Sequence, residues 1–359
     1  LAHSNNVRVI LDGVFNHCGR GFMAFNDLME NQEYSPYKDW FHVHHFPVNA
    51  YANPETTDYD AWWGFSSLPK LNTQNPGVRQ FIFDVARYWI EQGADGWRLD
   101  VPNEIDDDLF WEEFRHVVKK ANRDAYLVGE IWDGDPRWVG EQHFDGLLNY
   151  PLRMSLIDLM NGKIHVSDFA KQIDSLLSLY PRENTYAMYL PLGSHDTERI
   201  LSLLDDSVEK VKLSYLFLFT FPGAPGIYYG DEIGMTGGKD PDCRKAFVWK
   251  EEQWNRELLE WMKTLISLRK DQTVLRRGDF KVVEVLDKEN CYAYSRSLDG
   301  AHCLVVLNAG NSRRYLKLRV GNLWKDGRVV RNLLGDNEYI IANDSITITI
   351  NAWEGVVIS

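Results

Sequence analysis

Arg98 and Asp100 stand two apart in the run Gly96-Trp97-Arg98-Leu99-Asp100-Val101-Pro102-Asn103-Glu104. On an extended backbone, side chains two apart point the same way. A guanidinium beside a carboxylate holds it ionised, which is what a carboxylate nucleophile requires. A buried structural ion pair would look the same, and this stretch alone does not choose between them. Other β-like runs also end in ionisable groups: Asp12, with Asn16 and His17 just after it, then Glu130, Asp196 and Glu232. Each of these alone is matched by a helix cap or a salt bridge. If the strand ends converge, Asp100, Glu130 and Asp196 would enclose one small space. Two carboxyls flanking an oxocarbenium-like centre cleave a glycosidic bond, at ~5 to ~5.5 Å separation when the anomeric configuration is retained. Ser194, His195 and Asp196 are no serine triad, because contiguous residues on one strand cannot face one another, and no G-x-S-x-G is present.

The elements that must hold these groups follow from periodicity. Apolar residues at Phe81, Val85, Tyr88 and Trp89 predict a helix over 75–92, with Gly93 as its C-cap. Phe110, Phe114, Val117 and Val118 predict another over 106–122, whose acidic start Asp106-Asp107-Asp108 complements the helix dipole. Further helices are expected over 168–179, 208–220 and 257–268, and strands over 7–12, 94–101, 125–132, 145–150, 189–196 and 226–232. This alternation means an α/β fold with a parallel sheet. Repeated polar strand ends are the mark of a (β/α)8 TIM barrel that carries its active site on one face, although six strands do not close a barrel of eight. Residues 18–74 form a long insertion with Trp40, Phe41, Tyr51, Tyr59, Trp62, Trp63 and Phe65, expected to be a loop subdomain. His42, His44 and His45 within it have no carboxylate at a diagnostic spacing, so they are not read as metal ligands. From residue 276 the texture becomes short alternating runs, at 282–285, 291–296, 302–307 and 345–350, with turn signals at Asp299-Gly300 and Gly310-Asn311. That pattern predicts a C-terminal antiparallel β-sandwich. The expected domains are therefore a barrel over 1–275 and a sandwich over 276–359.

Composition bounds the partners. With 52 Asp and Glu against 39 Lys and Arg, a net charge of -13 argues against nucleic acid, which demands a basic stripe. No apolar run approaches the roughly 20 residues of a membrane span. The 13 tryptophans among 359 residues exceed what a core needs, and flat indoles pack well on sugars and other ring-shaped ligands. Cys18, Cys243, Cys291 and Cys303 form no CxxC or zinc spacing. Reduced thiols and a cytoplasmic location are expected, with a Cys291–Cys303 bridge the alternative. The N-terminus has no basic region followed by an apolar one, so it is no signal peptide, and it reads like the middle of a protein.

Taken together, these strings resemble the α-amylase family of glycoside hydrolases, family 13. Asp12-Gly13-Val14-Phe15-Asn16-His17 is similar to its first motif, Gly96 to Glu104 to its second, Gly129-Glu130-Ile131-Trp132 to its third and Ser194-His195-Asp196 to its fourth. The run from Gly223 to Glu232 is similar to a further block near the end of the barrel. The resemblance implies that Asp100 is the nucleophile, Glu130 the general acid and then base, and Asp196 a transition-state stabiliser. It implies that Arg98 keeps Asp100 ionised and that His17 and His195 donate to the same sugar. Glu130 would need a pKa above that of Asp100, which apolar Ile131 and the indole of Trp132 would favour. The resemblance requires no cofactor and admits calcium, with Asn16 as the candidate ligand.

Leu68-Pro69-Lys70-Leu71-Asn72 is similar to the Met-Pro-Lys-Leu-Asn block of the neopullulanase, cyclomaltodextrinase and maltogenic amylase group, with Leu68 in place of Met. Asn103-Glu104 and the run from Gly238 through Asp242 to Arg244 point the same way, although Pro102 replaces the commoner Ala. Glu104, Trp132, Asp242 and Arg244 are thereby implied in substrate binding. By this alignment the chain starts at the third barrel strand, with the first two βα units and an N-terminal β-domain missing. The expectation is a fragment of a longer enzyme that forms oligomers through the missing part. The implied activity is retaining hydrolysis of α-1,4 and also α-1,6 bonds in maltooligosaccharides, cyclodextrins, pullulan or starch, with transglycosylation. A non-catalytic amylase-like binding or scaffold protein is the alternative of a different class, and it would typically lack the carboxylates. An α-glucosidase or glucan transferase on the same barrel is a third reading.

Overall fold

Parallel strands need crossover helices that cover both faces of the sheet, and the first half of the chain is built in this way. The computed structural model describes all 359 residues, which divide into two compact units, Leu1–Leu148 and Asn149–Ser359. In the first unit, β1 (Ile10–Gly13) leads into the insertion, which contains α1 (Met23–Asn31). Then follow α2 (Pro76–Glu91), β2 (Gly96–Leu99), α3 (Asp108–Ala121), β3 (Tyr126–Gly129) and β4 (Gly146–Leu147). The four strands form one parallel sheet in chain order. The side chain of Asn75 caps α2, accepting from Gly77 N at 2.8 Å and Val78 N at 3.3 Å. The helix buries Val78, Ile82, Phe83, Ala86 and Ile90, a stripe at helical spacing, and each such side chain contributes roughly 1.5–3 kcal/mol when fully buried. α3 buries Phe110, Trp111, Phe114 and Val118, and Asp107 from its acidic start accepts from Phe110 N at 3.1 Å as a side-chain cap. At Gly96 a Cβ would come within 2.1 Å of Tyr126 O, so only glycine lets β2 lie beside β3 here.

The insertion has an aromatic core of its own. Phe25 meets Phe41 and Tyr59 edge-on, each at 5.0 Å between ring centroids, and Tyr59 Oη donates to Ser66 O at 2.7 Å. Backbone bridges pair His17 with Lys70 and Phe41 with Leu71, which ties the Leu68–Asn72 block to the end of β1.

The second unit opens with α4 (Tyr150–Met160), α5 (Val166–Leu179), α6 (Arg182–Ala187), β5 (Tyr189–Leu190) and α7 (Ile200–Leu203). It continues through α8 (Val208–Thr220), β6 (Ala224–Pro225), α9 (Arg256–Asp271) and α10 (Thr273–Arg277). β5 and β6 are parallel neighbours. Residues 226–232, expected as a strand, are not one: Gly226 N still bonds Leu190 O, but the chain then turns through Gly230 at φ +89° into a 3-10 turn at Asp231–Ile233. The turn carries the Asp231 side chain inward. The expected strand over 189–196 likewise stops at Leu190.

Eight antiparallel strands complete the unit: β7 (Asp279–Leu286), β8 (Cys291–Leu298), β9 (Ala301–Asn308), β10 (Arg314–Arg319), β11 (Val329–Arg331), β12 (Glu338–Ile340), β13 (Ser345–Ile350) and β14 (Glu354–Ile358). One sheet runs β14-β9-β8-β7, and β10 pairs with β13 and β11 with β12. Leu304, Val306, Leu316, Leu318, Ile346 and Ile348 belong to the core they share. The Asp299-Gly300 signal is the β8–β9 hairpin turn, both residues at positive φ, as a primed turn demands. All four cysteines are free thiols, so the Cys291–Cys303 alternative does not hold. No helix is long and apolar enough to cross a membrane.

Candidate active site

In the first unit, Arg98 organises three carboxyls. Parallel register sets Asp12 opposite Arg98 across β1 and β2, and Leu99 opposite Gly129 across β2 and β3, which places Glu130 just past the sheet edge. Arg98 Nη1 donates to Asp12 Oδ1 at 2.7 Å and to Asp100 Oδ1 at 2.6 Å, while its Nη2 lies 2.5 Å from Glu130 Oε2. Asp100 and Glu130 are thus the two arms of one guanidinium fork. Glu130 is almost wholly buried, at 3 % exposure, whereas Asp12 is half exposed at 54 %. Burial opposes the charge on Arg98, but Glu130, Asp12 and Asp100 outweigh it and raise its pKa above the ordinary arginine value. The residue after Asp100 is unusual: Val101 sits at φ +35°, ψ +52°, a left-handed conformation that a β-branched side chain rarely adopts. From there a 3-10 turn, Pro102–Glu104, delivers Glu104 to Lys70, with Nζ 3.0 Å from Oε2.

His17 is buried beside this cluster. Burial lowers its pKa, Lys70 adds to the effect, and Asp100 and Glu104 pull the other way. Its Nδ1 lies 3.3 Å from Asn16 Nδ2. Burial favours the neutral ring, and with the amide NH2 donating to Nδ1 the ring proton would sit on Nε2. It stacks on Trp62 at 4.9 Å with planes 7° apart, and Trp62 stacks on Trp63 at 4.5 Å and 15°. Trp63, exposed and itself at positive φ, is the open end of this pile of rings. Trp132 is half exposed, while its neighbour Ile131 is buried.

The second unit holds the other expected residues. Asp196 receives Arg244 Nη2 on Oδ1 at 3.0 Å and His195 Nε2 at 3.0 Å from Oδ2. Arg244 Nε also donates to His195 O and pairs with Asp240. Asp242 is turned elsewhere. Its carboxylate accepts from Gly238 N at 2.6 Å and pairs with Lys245, contacts that keep its pKa below the usual range, the backbone N–H first among the causes. A fully buried pair frames this segment. Arg199 Nη1 lies 3.1 Å from Asp231 Oδ1, Tyr215 Oη donates to Asp231 Oδ2 at 3.1 Å, and Arg199 Nε donates to Cys243 O at 3.0 Å. Burial pushes Asp231 up to about 6 in spite of the Arg199 charge.

Asp12 as a direct partner of Arg98, the His17–Trp62–Trp63 stack and the Arg199–Asp231 pair were not anticipated as such. Asp12 and the tryptophans were visible as a polar strand end and as insertion aromatics, but their contacts depend on strand register and loop path. No three His, Cys, Asp or Glu side chains are grouped to hold a metal ion. Asn16 turns its amide nitrogen to His17.

Residues 1–264 match the model of the α-amylase catalytic domain. The chain is 40 % identical over 350 residues to a cyclomaltodextrinase of Geobacillus thermopakistaniensis, covering 97 % of this chain and 58 % of that protein. It is 42 % identical over 331 residues to neopullulanase 2 of Thermoactinomyces vulgaris, covering 90 % and 56 %. A solved structure from Thermus thermophilus superposes with a TM-score of 0.95 at 39 % identity, covering 99 % of this chain and 77 % of that one. The chain spans less than three fifths of the length of these curated relatives.

Proposed function

We propose, with the premise that the chain belongs to the α-amylase family and has its (β/α) barrel fold and C-terminal antiparallel domain, that it is the catalytic part of a retaining α-glucan hydrolase. Its substrates are maltooligosaccharides, cyclodextrins and related α-1,4 glucans, including those with α-1,6 bonds. Asp100 attacks the anomeric carbon as the glycosidic C–O bond breaks, and Glu130 gives its proton to the departing oxygen. Glu130, now a carboxylate, takes a proton from water, and that water displaces Asp100 from the anomeric carbon. Arg98 stabilises Asp100 as the leaving carboxylate, and neutral His17 donates from Nε2 to a sugar hydroxyl. Asp196, held by Arg244 and His195, binds hydroxyls of the sugar that becomes cationic. Trp63 and Trp132 offer ring faces to neighbouring glucosyl units.

One observation carries this reading: two carboxyls, one buried and one partly open, share a single guanidinium at the ends of adjacent parallel strands. Four free thiols fit a cytoplasmic setting. The test is Asp100→Asn in the intact enzyme. Turnover on cyclodextrin and maltoheptaose should fall by on the order of 10³-fold or more with the fold retained, and NMR of the parent reaction should give the α-anomer first. Turnover within about tenfold of the parent, or a β-anomer, removes Asp100 as nucleophile.

A further inference from the structure

A second groove lies within the second unit, between the side of α8 and α9 and the turn that joins β13 to β14. It encloses about 250 Å³ and is lined by Trp261, Trp353, Asn332, Glu354 and Lys212, among others. Trp353 occupies the tip of the turn at φ +51°. A bulky residue is strained in that conformation, and here it places an indole at the groove wall. Its backbone N–H donates to Gly310 O at 3.1 Å. Beyond the turn, Gly355 packs so closely that a Cβ would come within 2.2 Å of Leu216, which seats the turn on α8.

The opposite wall is equally fixed. Trp261 Nε1 donates to Lys212 O at 2.9 Å, and the Lys212 ammonium lies 5.0 Å from the Trp261 ring while pairing with Glu257 at 2.7 Å. Glu354 accepts from Asn351 N at 2.5 Å. Asn332 is nine-tenths buried, and its Oδ1 accepts from both Leu334 N at 3.1 Å and Val357 N at 3.3 Å. These bonds fix which end of the amide is oxygen and leave Nδ2, without a partner inside the protein, as an uncommitted donor. Two oriented indoles, a committed carboxylate with spare acceptor capacity and an unspent amide donor form a surface with flat apolar faces and planar polar edges. That is the chemistry of a pyranose ring, whose C–H face is apolar and whose rim is all hydroxyls.

We infer that this groove is an accessory binding site for one glucosyl unit of an α-glucan chain, separate from the carboxylate cluster. The choice of α-glucan rests on the function proposed above. Such a site would retain a polymer while its end is being processed, raising its effective concentration at the catalytic residues.

The experiment follows indole N–H signals in the intact protein carrying Asp100→Asn, titrated with maltoheptaose. Trp261 and Trp353 should shift together. Trp353→Gly, which suits the backbone conformation of that position, should abolish the Trp261 shift, leave the shifts of Trp63 and Trp132 in place and weaken retardation in an amylopectin gel at least tenfold. If Trp63 and Trp132 shift while Trp261 and Trp353 do not, the accessory site is refuted and the proposed function stands. If only Trp261 and Trp353 shift, the groove is upheld and the proposed function fails. If none shift, both fall.

Discussion

Arg98 and Arg199 are both guanidiniums set among carboxylates, and their surroundings are arranged on opposite terms. Arg199 is fully buried with one carboxylate, Asp231, while Nε and Nη1 also donate to the carbonyls of Cys243 and Tyr229 and the rings of Tyr228 and Tyr229 lie against the guanidinium. Its charge is balanced one to one, and its Nη2 is sealed away without a hydrogen-bond partner. Arg98 is partly open and faces three carboxyls, Asp12, Asp100 and Glu130. Acid groups outnumber the cation there. In the proposed reaction an oxocarbenium-like sugar would supply the balancing charge in the transition state, when fixed electrostatics are most useful. The backbone differs in the same sense. Around Asp231, the positive-φ positions are Gly230 and Gly234, which adopt them without strain. Beside Asp100 the position is filled by Val101.

Matched substitutions would sharpen this contrast most. Arg199→Met leaves Asp231 buried without its counter-charge, and breaking a buried pair from one side costs about 3–5 kcal/mol. Denaturant unfolding should show that loss, while the protein that remains folded keeps its turnover. Arg98→Met should do the reverse. Its carboxyls can take up protons or reach water, so the stability loss should stay below about 2 kcal/mol, while turnover falls on the order of 10²- to 10³-fold. Equal stability losses in the two variants would break the distinction.

Next in size is the pH response of the structural pair. With Asp231 raised to about 6 from an ordinary 3.8, the folded state binds this proton more tightly than the unfolded chain. The group's contribution to stability is therefore full below about pH 4 and is lost as pH rises to about 6, a change on the order of 3 kcal/mol. Asp231→Asn should remove that component, so the difference in unfolding free energy between variant and parent should vary across pH 4, 5 and 6. A constant difference would mean that Arg199 and Tyr215 balance the burial of Asp231 fully.

How much of this was legible beforehand follows from the kind of order involved. The placing of Arg98, Asp100 and Glu130 at strand ends could be read because strand alternation and the position after a strand are local properties, whereas Asp196 lies beyond a strand that stops at Leu190. α2 and α3 could be read because each has one apolar face. α4 could not, since it buries residues all round, Tyr150, Leu152, Ser155, Leu156, Ile157 and Leu159 among them, which erases the amphipathic period. Residues 226–232 misled because Ile227, Tyr228 and Tyr229 favour strands, whereas Gly230 and the inward pull of Arg199 on Asp231 dictate a turn. The Arg98–Asp12 contact depends on the register between β1 and β2, which neither segment specifies alone. The β10, β11, β12 and β14 strands were missed in part because β11 and β12 are three residues long.

The smallest effect tests whether the strain beside Asp100 is functional. Asp100 N donates to Gly13 O at 3.1 Å and Glu104 N to Val101 O at 3.0 Å, so the bend at Val101 is held from both sides. Val101→Gly makes this position like Gly230. Relief of strain, roughly 1–3 kcal/mol, is opposed by roughly 0.5–1 kcal/mol of extra freedom in the unfolded chain, so stability should rise by about 1 kcal/mol. Were the strain incidental, turnover would be unchanged. If instead Val101 limits the rotation of the Asp100 carboxyl on Arg98, freeing the backbone should lower kcat several-fold with KM little changed, and Val101→Ile should restore it, because a β-branched side chain again restricts the bend. A more stable protein with unaltered kcat would assign Val101 to the fold alone.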